Sequence, residues 1–182
     1  MELRDAFFDA LYERAKHDQK ILVLTADMWA DGLDQFKRAF PDRTISVGIA
    51  EQNLINVATG LASSGFRPFC VAIASFIVYR CYEQIKLYLS DMGLPITLVG
   101  IGPGISYAWD GPSHHCLYDV QILSVLPGMK IITPRNQGEA AAAAIRTDLA
   151  PTYIRLGKGD AIAKWGRYED PNFGVPWQMR GG

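Results

Sequence analysis

The 182-residue sequence has only three cysteines, Cys70, Cys81 and Cys116, and no CxxC pair. This excludes a disulfide scaffold and suits buried thiols in a reducing, cytoplasmic setting. Histidine is equally scarce, and two of the three, His114 and His115, are adjacent. Neighbouring side chains point apart and lack the spacing zinc ligands use, so a metal site there is a weak reading. There is no excess of charge: 18 basic against 19 acidic residues give a formal net charge of −1. That argues against a nucleic-acid or anionic-membrane surface. Long apolar runs are missing too. The longest, "PFCVAIASFIVY", holds 12 residues between Arg67 and Arg80, well under the roughly 20 a membrane span needs. The first residues, "MELRDAFFDALYERAKHDQK", are charged throughout and lack a signal peptide's apolar centre. Neither GxGxxG nor GxxxxGK[ST] occurs, so the chain offers no phosphate cradle of those kinds.

What is present is alternation. Leu3, Phe7, Leu11 and Ala15 recur every four residues and predict a helix over 3–16. "ILVLTADM" (21–28) is a continuous apolar run that suits a strand buried on both faces. A helix over 33–40, stopped by Pro41, precedes a strand over 43–48. Leu54, Val57, Ala58 and Leu61 mark a helix over 51–64, and a third strand follows over 67–74. Ile77, Cys81, Ile85, Tyr88 and Leu89 predict one helix over 76–90, before a fourth strand at 95–101. After a glycine-rich loop over 102–115 come a helix at 117–125, a strand in "MKIITP", an alanine-rich helix at 137–147 and a last strand in "PTYIRL". Asn136, three before Glu139, reads as the N-cap of that alanine-rich helix. The pattern predicts an α/β fold: a doubly wound, mostly parallel six-stranded sheet with helices on both faces. Residues 1–160 form the domain. Residues 161–182, with Trp165, Tyr168, Phe173 and Trp177, read as a tail or linker that packs back or docks on a partner chain.

Ligands of open parallel sheets sit beyond the C-terminal ends of the strands. Three segments fall there: Gly48 to Gln52, Ser75 to Arg80, and the loop "GPGISYAWDGPSHHC". Glu51 is a lone acid in an otherwise apolar or neutral stretch. It serves either the dipole of a helix start, worth roughly 0.3–1 kcal/mol, or a buried cofactor. Phe76 and Tyr79 are core packing or an aromatic platform for a ring. Arg80 binds an anion, pairs with an acid, or is a solvated flank. Asp110 and His114 span Gly111-Pro112, a turn that either aims two polar groups at a polyhydroxylated substrate or bonds them to each other. Asp27, ending the first strand, is a turn residue or a group at the site's edge.

Four motifs then stand in one order: "GIAEQN", "ASFIVYRCYEQI", "DGPSHH" and "LPGMKIITP". Together they resemble the transketolase family, specifically its pyrimidine-binding domain, over about residues 5 to 160. The resemblance implies the thiamine-diphosphate-binding fold, with thiamine diphosphate and Mg²⁺ as cofactors. It implies that Glu51 hydrogen-bonds a ring nitrogen of the aminopyrimidine and so promotes loss of the thiazolium C2 proton. Desolvation of such an acid favours its neutral, proton-donating form. The family's stacking aromatic falls at Phe76 and its helix arginine at Arg80, with Tyr79 as a further neighbour of the cofactor. The "DGPTH" loop that binds substrate hydroxyls falls at Asp110 and His114. His115 assists proton transfer or packs.

These enzymes also need a diphosphate- and metal-binding domain with a GDG-to-Asn motif, which this sequence lacks. The expectation is therefore one subunit of a split enzyme, a heterotetramer or larger, whose partner holds the diphosphate and Mg²⁺. The reaction implied is transfer of a two-carbon ketol unit from a small sugar donor to an aldehyde, with catalytic roles for Glu51 and His114. Acyl transfer from a 2-oxo acid, or a non-catalytic assembly role, are the rivals.

Overall fold

A computed structural model of the chain describes residues 2–28, 30–146 and 150–157. Six strands form one parallel sheet: β1 (Ile21–Thr25), β2 (Thr44–Ser46), β3 (Arg67–Ile73), β4 (Thr97–Ile101), β5 (Lys130–Ile132) and β6 (Thr152–Leu156). Their order across the sheet is β2-β1-β3-β4-β6-β5, with every pairing parallel. β1 and β4 are buried along their whole length, whereas the short edge strands β2 and β5 are partly open. This matches the contrast between the long apolar runs and the mixed edge sequences.

Alternate residues of each strand point to opposite faces. Ile21, Val23, Phe69, Val71, Val99 and Ile101 join one apolar cluster with α1 (Leu3–Ala15), α2 (Asp31–Ala39) and, later in the chain, Ala140, Ala143 and Ala144. Leu22, Leu24, Cys70, Ala72, Leu98 and Tyr153 join a second cluster with α3 (Glu51–Ser63) and the segment that follows β3. Helices thus cover both faces, as the alternation predicts. Each fully buried Leu, Ile or Phe contributes about 1.5–3 kcal/mol of burial. At the N-terminal end of the sheet, Arg43 Nη1 donates to the carbonyls of Ala15 (3.1 Å) and Asp18 (3.0 Å), and Arg67 pairs with Asp18. That end is closed by these carbonyl hydrogen bonds and the Arg67–Asp18 ion pair, which leaves the opposite end for chemistry.

Several boundaries differ from the sequence reading. β1 stops at Thr25, and Asp27 beyond it adopts a left-handed φ of 54°. α2 opens at Asp31, two residues earlier than expected. The expected single helix over 76–90 is instead α4 (Ala74–Tyr79), a break at Arg80–Cys81, a short turn α5 (Tyr82–Gln84) and a π-helical stretch over Ile85–Asp91. The Arg80 carbonyl, at the break, accepts from the Gln52 side chain at 2.8 Å. α6 (Asp119–Ser124) and α7 (Gln137–Ile145) follow, and Asn136 caps α7 by accepting from Glu139 N at 2.9 Å. All three cysteines are free and buried. No helix among the described residues is long and apolar enough to cross a membrane. The expected tail at 161–182 lies outside the described residues.

Candidate active site

The segments at the C-terminal ends of β2, β3 and β4 bring Glu51, Arg80, Phe76 and His114 together. After β2 the chain runs through Gly48, at φ 70°, into α3, whose first residue is Glu51. A carboxylate at that position favours the helix dipole, as the structural reading holds. Yet Glu51 is only 5% exposed, which a dipole-stabilising acid does not require. Its Oε2 accepts from Arg80 Nη1 at 3.1 Å. The Arg80 guanidinium in turn lies 3.7 Å over the Phe76 ring, a cation–π contact. Phe76 meets His114 edge-on, with ring centres 4.8 Å apart, and Tyr107 lies 5.9 Å from His114 on a tilted approach. Glu51, Arg80, Phe76, His114 and Tyr107 form one continuous string.

The loop from Gly102 to Tyr118 owes its shape to local sequence. Gly102 has φ 69°, and a Cβ there would run into the Tyr107 ring. Gly104 and Cys116 exchange backbone hydrogen bonds of 2.8 Å in both directions and close the loop's neck. His114 N donates to Gly111 O at 3.0 Å and His115 N to Pro112 O at 3.2 Å, so the DGPSHH segment is a tight turn. His114 Nδ1 lies 3.1 Å from the Ser113 hydroxyl. Asp110 is exposed, and its backbone N–H donates to Tyr107 O at 3.1 Å.

The remaining candidates fall as follows. Tyr79 spends its hydroxyl on the loop, accepting from Tyr118 N at 2.8 Å. It fixes the loop to α4, and burial raises its phenol above the ordinary value. His115 is half-buried, and its Nε2 has no hydrogen-bond partner among the described residues. Asp27 lines a different cleft, of about 70 Å³, with Met28, Thr25 of β1, Leu33 and Lys37 of α2, and Thr44 and Ser46 of β2. Among the described residues no three His, Cys, Asp or Glu side chains gather as a metal site.

Sequence reasoning gave no role to four participants, three of them inside the segments it named. Gln52 supports the Arg80 backbone from inside the GIAEQN motif. Ser75 donates to Ser113 O at 3.1 Å, a second tie between α4 and the loop. Tyr107 walls His114. Asp119, fully buried, accepts from the Tyr153 hydroxyl and Arg155 Nε. Its sequence signal, an acid opening a short helix, is indistinguishable from an ordinary first-turn carboxylate.

The sequence matches the family described as the transketolase pyrimidine-binding domain over residues 1–162. The chain belongs to that family. It is 37% identical over 163 residues to the 6-deoxy-6-sulfo-D-fructose transketolase subunit SqwH of Clostridium sp. (strain MSTE9), covering 88% of this chain and 51% of that one. It is 39% identical over 158 residues to 1-deoxy-D-xylulose-5-phosphate synthase of Mycobacteroides abscessus, covering 85% of this chain and 24% of the synthase. Among solved structures, a split-gene transketolase described as an inactive β4 tetramer superposes with a TM-score of 0.76 at 32% identity, covering 86% of this chain and 51% of that one. The transketolase of Leishmania mexicana superposes at 0.75 with 22% identity, over 86% of this chain and 25% of that one, which shows the shared fold. This transketolase-family chain thus spans about half, or less, of each of these relatives. Three of the four motifs that carry the resemblance supply the Glu51–Phe76–His114 string, while the fourth, LPGMKIITP, contains β5.

Proposed function

We propose that this chain is the pyrimidine-binding subunit of a heteromeric, thiamine-diphosphate-dependent transketolase-like enzyme that moves a two-carbon ketol unit to an aldehyde. The observation that carries this reading is Glu51: a carboxylate 5% exposed, at the C-terminal edge of a parallel sheet, one arginine away from an aromatic ring. A buried acid beside a flat apolar face fits the polar edge and the face of an aminopyrimidine. The described residues fit the cofactor's other end less well, since they gather no metal-ligating cluster. A partner chain is proposed to hold the diphosphate and Mg²⁺, in a heterotetramer or larger assembly. The naming of one relative as a transketolase subunit and of another as a split-gene product supports this division.

When bound, thiamine diphosphate supplies the carbanion chemistry that cleaves and forms carbon–carbon bonds. This chain's residues supply position and protons. Glu51 would hydrogen-bond the aminopyrimidine ring nitrogen and exchange a proton with it. Phe76 offers the stacking surface. Arg80 keeps Glu51 and Phe76 aligned, and Tyr79 holds the neighbouring loop. His114 and Asp110 hydrogen-bond substrate hydroxyls, with His114 also able to move a proton, and His115 lies beside it. Asp27, in its own cleft beside β1 and β2, is given no part in holding the ring. The buried free thiols fit a reducing, cytoplasmic setting.

The test is reconstitution with the candidate diphosphate-binding partner, thiamine diphosphate and an aldehyde acceptor. Turnover of hydroxypyruvate, a ketol donor, supports the reading. A second reading, acyl transfer after decarboxylation of a 2-oxo acid, is favoured by the 39% identity to the deoxyxylulose-phosphate synthase, and turnover of pyruvate would select it. No turnover of either donor by a properly assembled complex would leave a non-catalytic assembly role.

A further inference from the structure

Asp119 directly follows the site loop, opens α6 and is fully buried. Its Oδ2 accepts from the Tyr153 hydroxyl at 2.8 Å and from Arg155 Nε at 2.6 Å. Its Oδ1 is buried without a hydrogen-bond partner among the described residues. A buried carboxylate is costly unless its position is useful, because apolar residues of the same volume pack at least as well. The surroundings are built to receive it. Gly100 lies mid-strand in β4, where a Cβ would stand 2.7 Å from Tyr153 Cε2 and 2.8 Å from its hydroxyl oxygen. Glycine weakens a strand interior unless close approach demands it. Burial and the Asp119 charge raise the Tyr153 phenol well above its ordinary value, so the hydroxyl remains a donor.

The network anchors one end of the loop. Tyr118 N is held by Tyr79, Cys116 by Gly104, and Ser113 O by Ser75. α6 is only six residues long and gives little rigidity of its own. Gly102 N ties the start of the loop to Leu156 O of β6 at 2.8 Å, and Asp119 ties its end to the same interior strand. Upstream of it, the tight turn sets His114 against Phe76.

We propose that Asp119, with Tyr153 and Arg155, is a positioning element for His114, tying the foot of loop 102–118 to β6 so that the imidazole keeps its place against Phe76. It acts through the loop and contacts no substrate. The role assigned to His114 rests on the function proposed above, whereas the tether does not.

The experiment compares wild type, Asp119→Asn and Tyr153→Phe in the complete complex with partner and thiamine diphosphate. Amide hydrogen exchange reads the loop, cofactor titration reads the ring site, and steady-state kinetics with hydroxypyruvate read the substrate site. Both variants are expected to speed exchange over 104–118 by about tenfold while β3 and β4 stay protected. The KM for hydroxypyruvate rises about tenfold, kcat falls less, and thiamine diphosphate affinity stays within about twofold. The proposal is overturned if loop exchange is unchanged, if β4 exchange accelerates equally, or if cofactor affinity falls in step with KM. Tyr153→Phe deletes one hydrogen bond and no charge, so it carries the test if Asp119→Asn does not fold. Failure of both to fold also overturns it, because the network would then hold the whole sheet. An inactive wild-type complex refutes the proposed function instead, and the exchange measurement still decides the tether.

Discussion

Arg80 bridges Glu51 and Phe76: one guanidinium nitrogen is 3.1 Å from the carboxylate while the guanidinium carbon lies 3.7 Å over the ring. The Glu51 side chain is 6% exposed and that of Arg80 46%, so the pair is dry on one side and wet on the other. Removing the arginine strands a buried acid, a loss softened by solvent screening on the Arg80 side. Arg80→Ala is expected to cost about 1 kcal/mol in urea denaturation. Arg80→Lys recovers only part of it, because an ammonium has no plane to stack on Phe76. In the double variant with Glu51→Gln the cost is less than the sum of the two.

Phe76 is half-buried and presents its ring beside the site. Phe76→Ala is expected to weaken thiamine diphosphate binding by the assembled enzyme about tenfold, the scale of one aromatic stacking contact. Phe76→Leu, which keeps apolar area without a flat face, falls between. Calorimetric titration of both variants checks the order.

Gly100 faces the Tyr153 ring closely enough that a methyl group cannot enter without displacement. Gly100→Ala is expected to destabilise the domain by about 1–3 kcal/mol through overpacking. Combining it with Tyr153→Phe gives no rescue, because ring carbon Cε2 is as close as the hydroxyl. Denaturant melts of the two single variants and the double variant decide this.

The thiols set an alkaline limit. Burial pushes Cys81 up to about 12, with the Glu51 charge adding to it, and pushes Cys116 up to about 12, with Asp119 adding. In the native state these groups hold their protons long after an unfolded thiol has lost its own, near 8.5. The contribution is therefore fully present below about pH 8.5 and is lost as pH rises towards 12. The melting temperature is expected to fall steadily above about pH 9. At pH 8 the native protein resists alkylation by iodoacetamide, whereas the unfolded chain reacts at all three cysteines.

Much of this was legible in the sequence for identifiable reasons. The strands announced themselves because parallel strands buried on both faces are continuous apolar runs, and β1 and β4 are buried throughout. The acid at Glu51 stood out because nothing charged surrounds it. The helix break at Arg80 was not legible. It depends on a side chain 28 residues away, Gln52, reaching the Arg80 carbonyl, and on Tyr79 turning to the loop. Periodicity records only that Ile77, Cys81, Ile85 and Leu89 face the core, which they do despite the break. Asp119 was missed for a similar reason: its partners Tyr153 and Arg155 come from a strand more than 30 residues later. Asp27, expected to end the first strand, lies two residues beyond β1, and its left-handed backbone and separate cleft follow from the turn's geometry.

The central claim is that the buried carboxyl of Glu51 serves the cofactor's ring. The most direct measurement is thiamine-dependent turnover of the complete enzyme carrying Glu51→Gln, an isosteric change at a fixed position. A fall in kcat of at least about 100-fold is expected, with folding and partner binding intact, as for loss of a group that handles a proton. Turnover within about twofold of wild type would contradict the account.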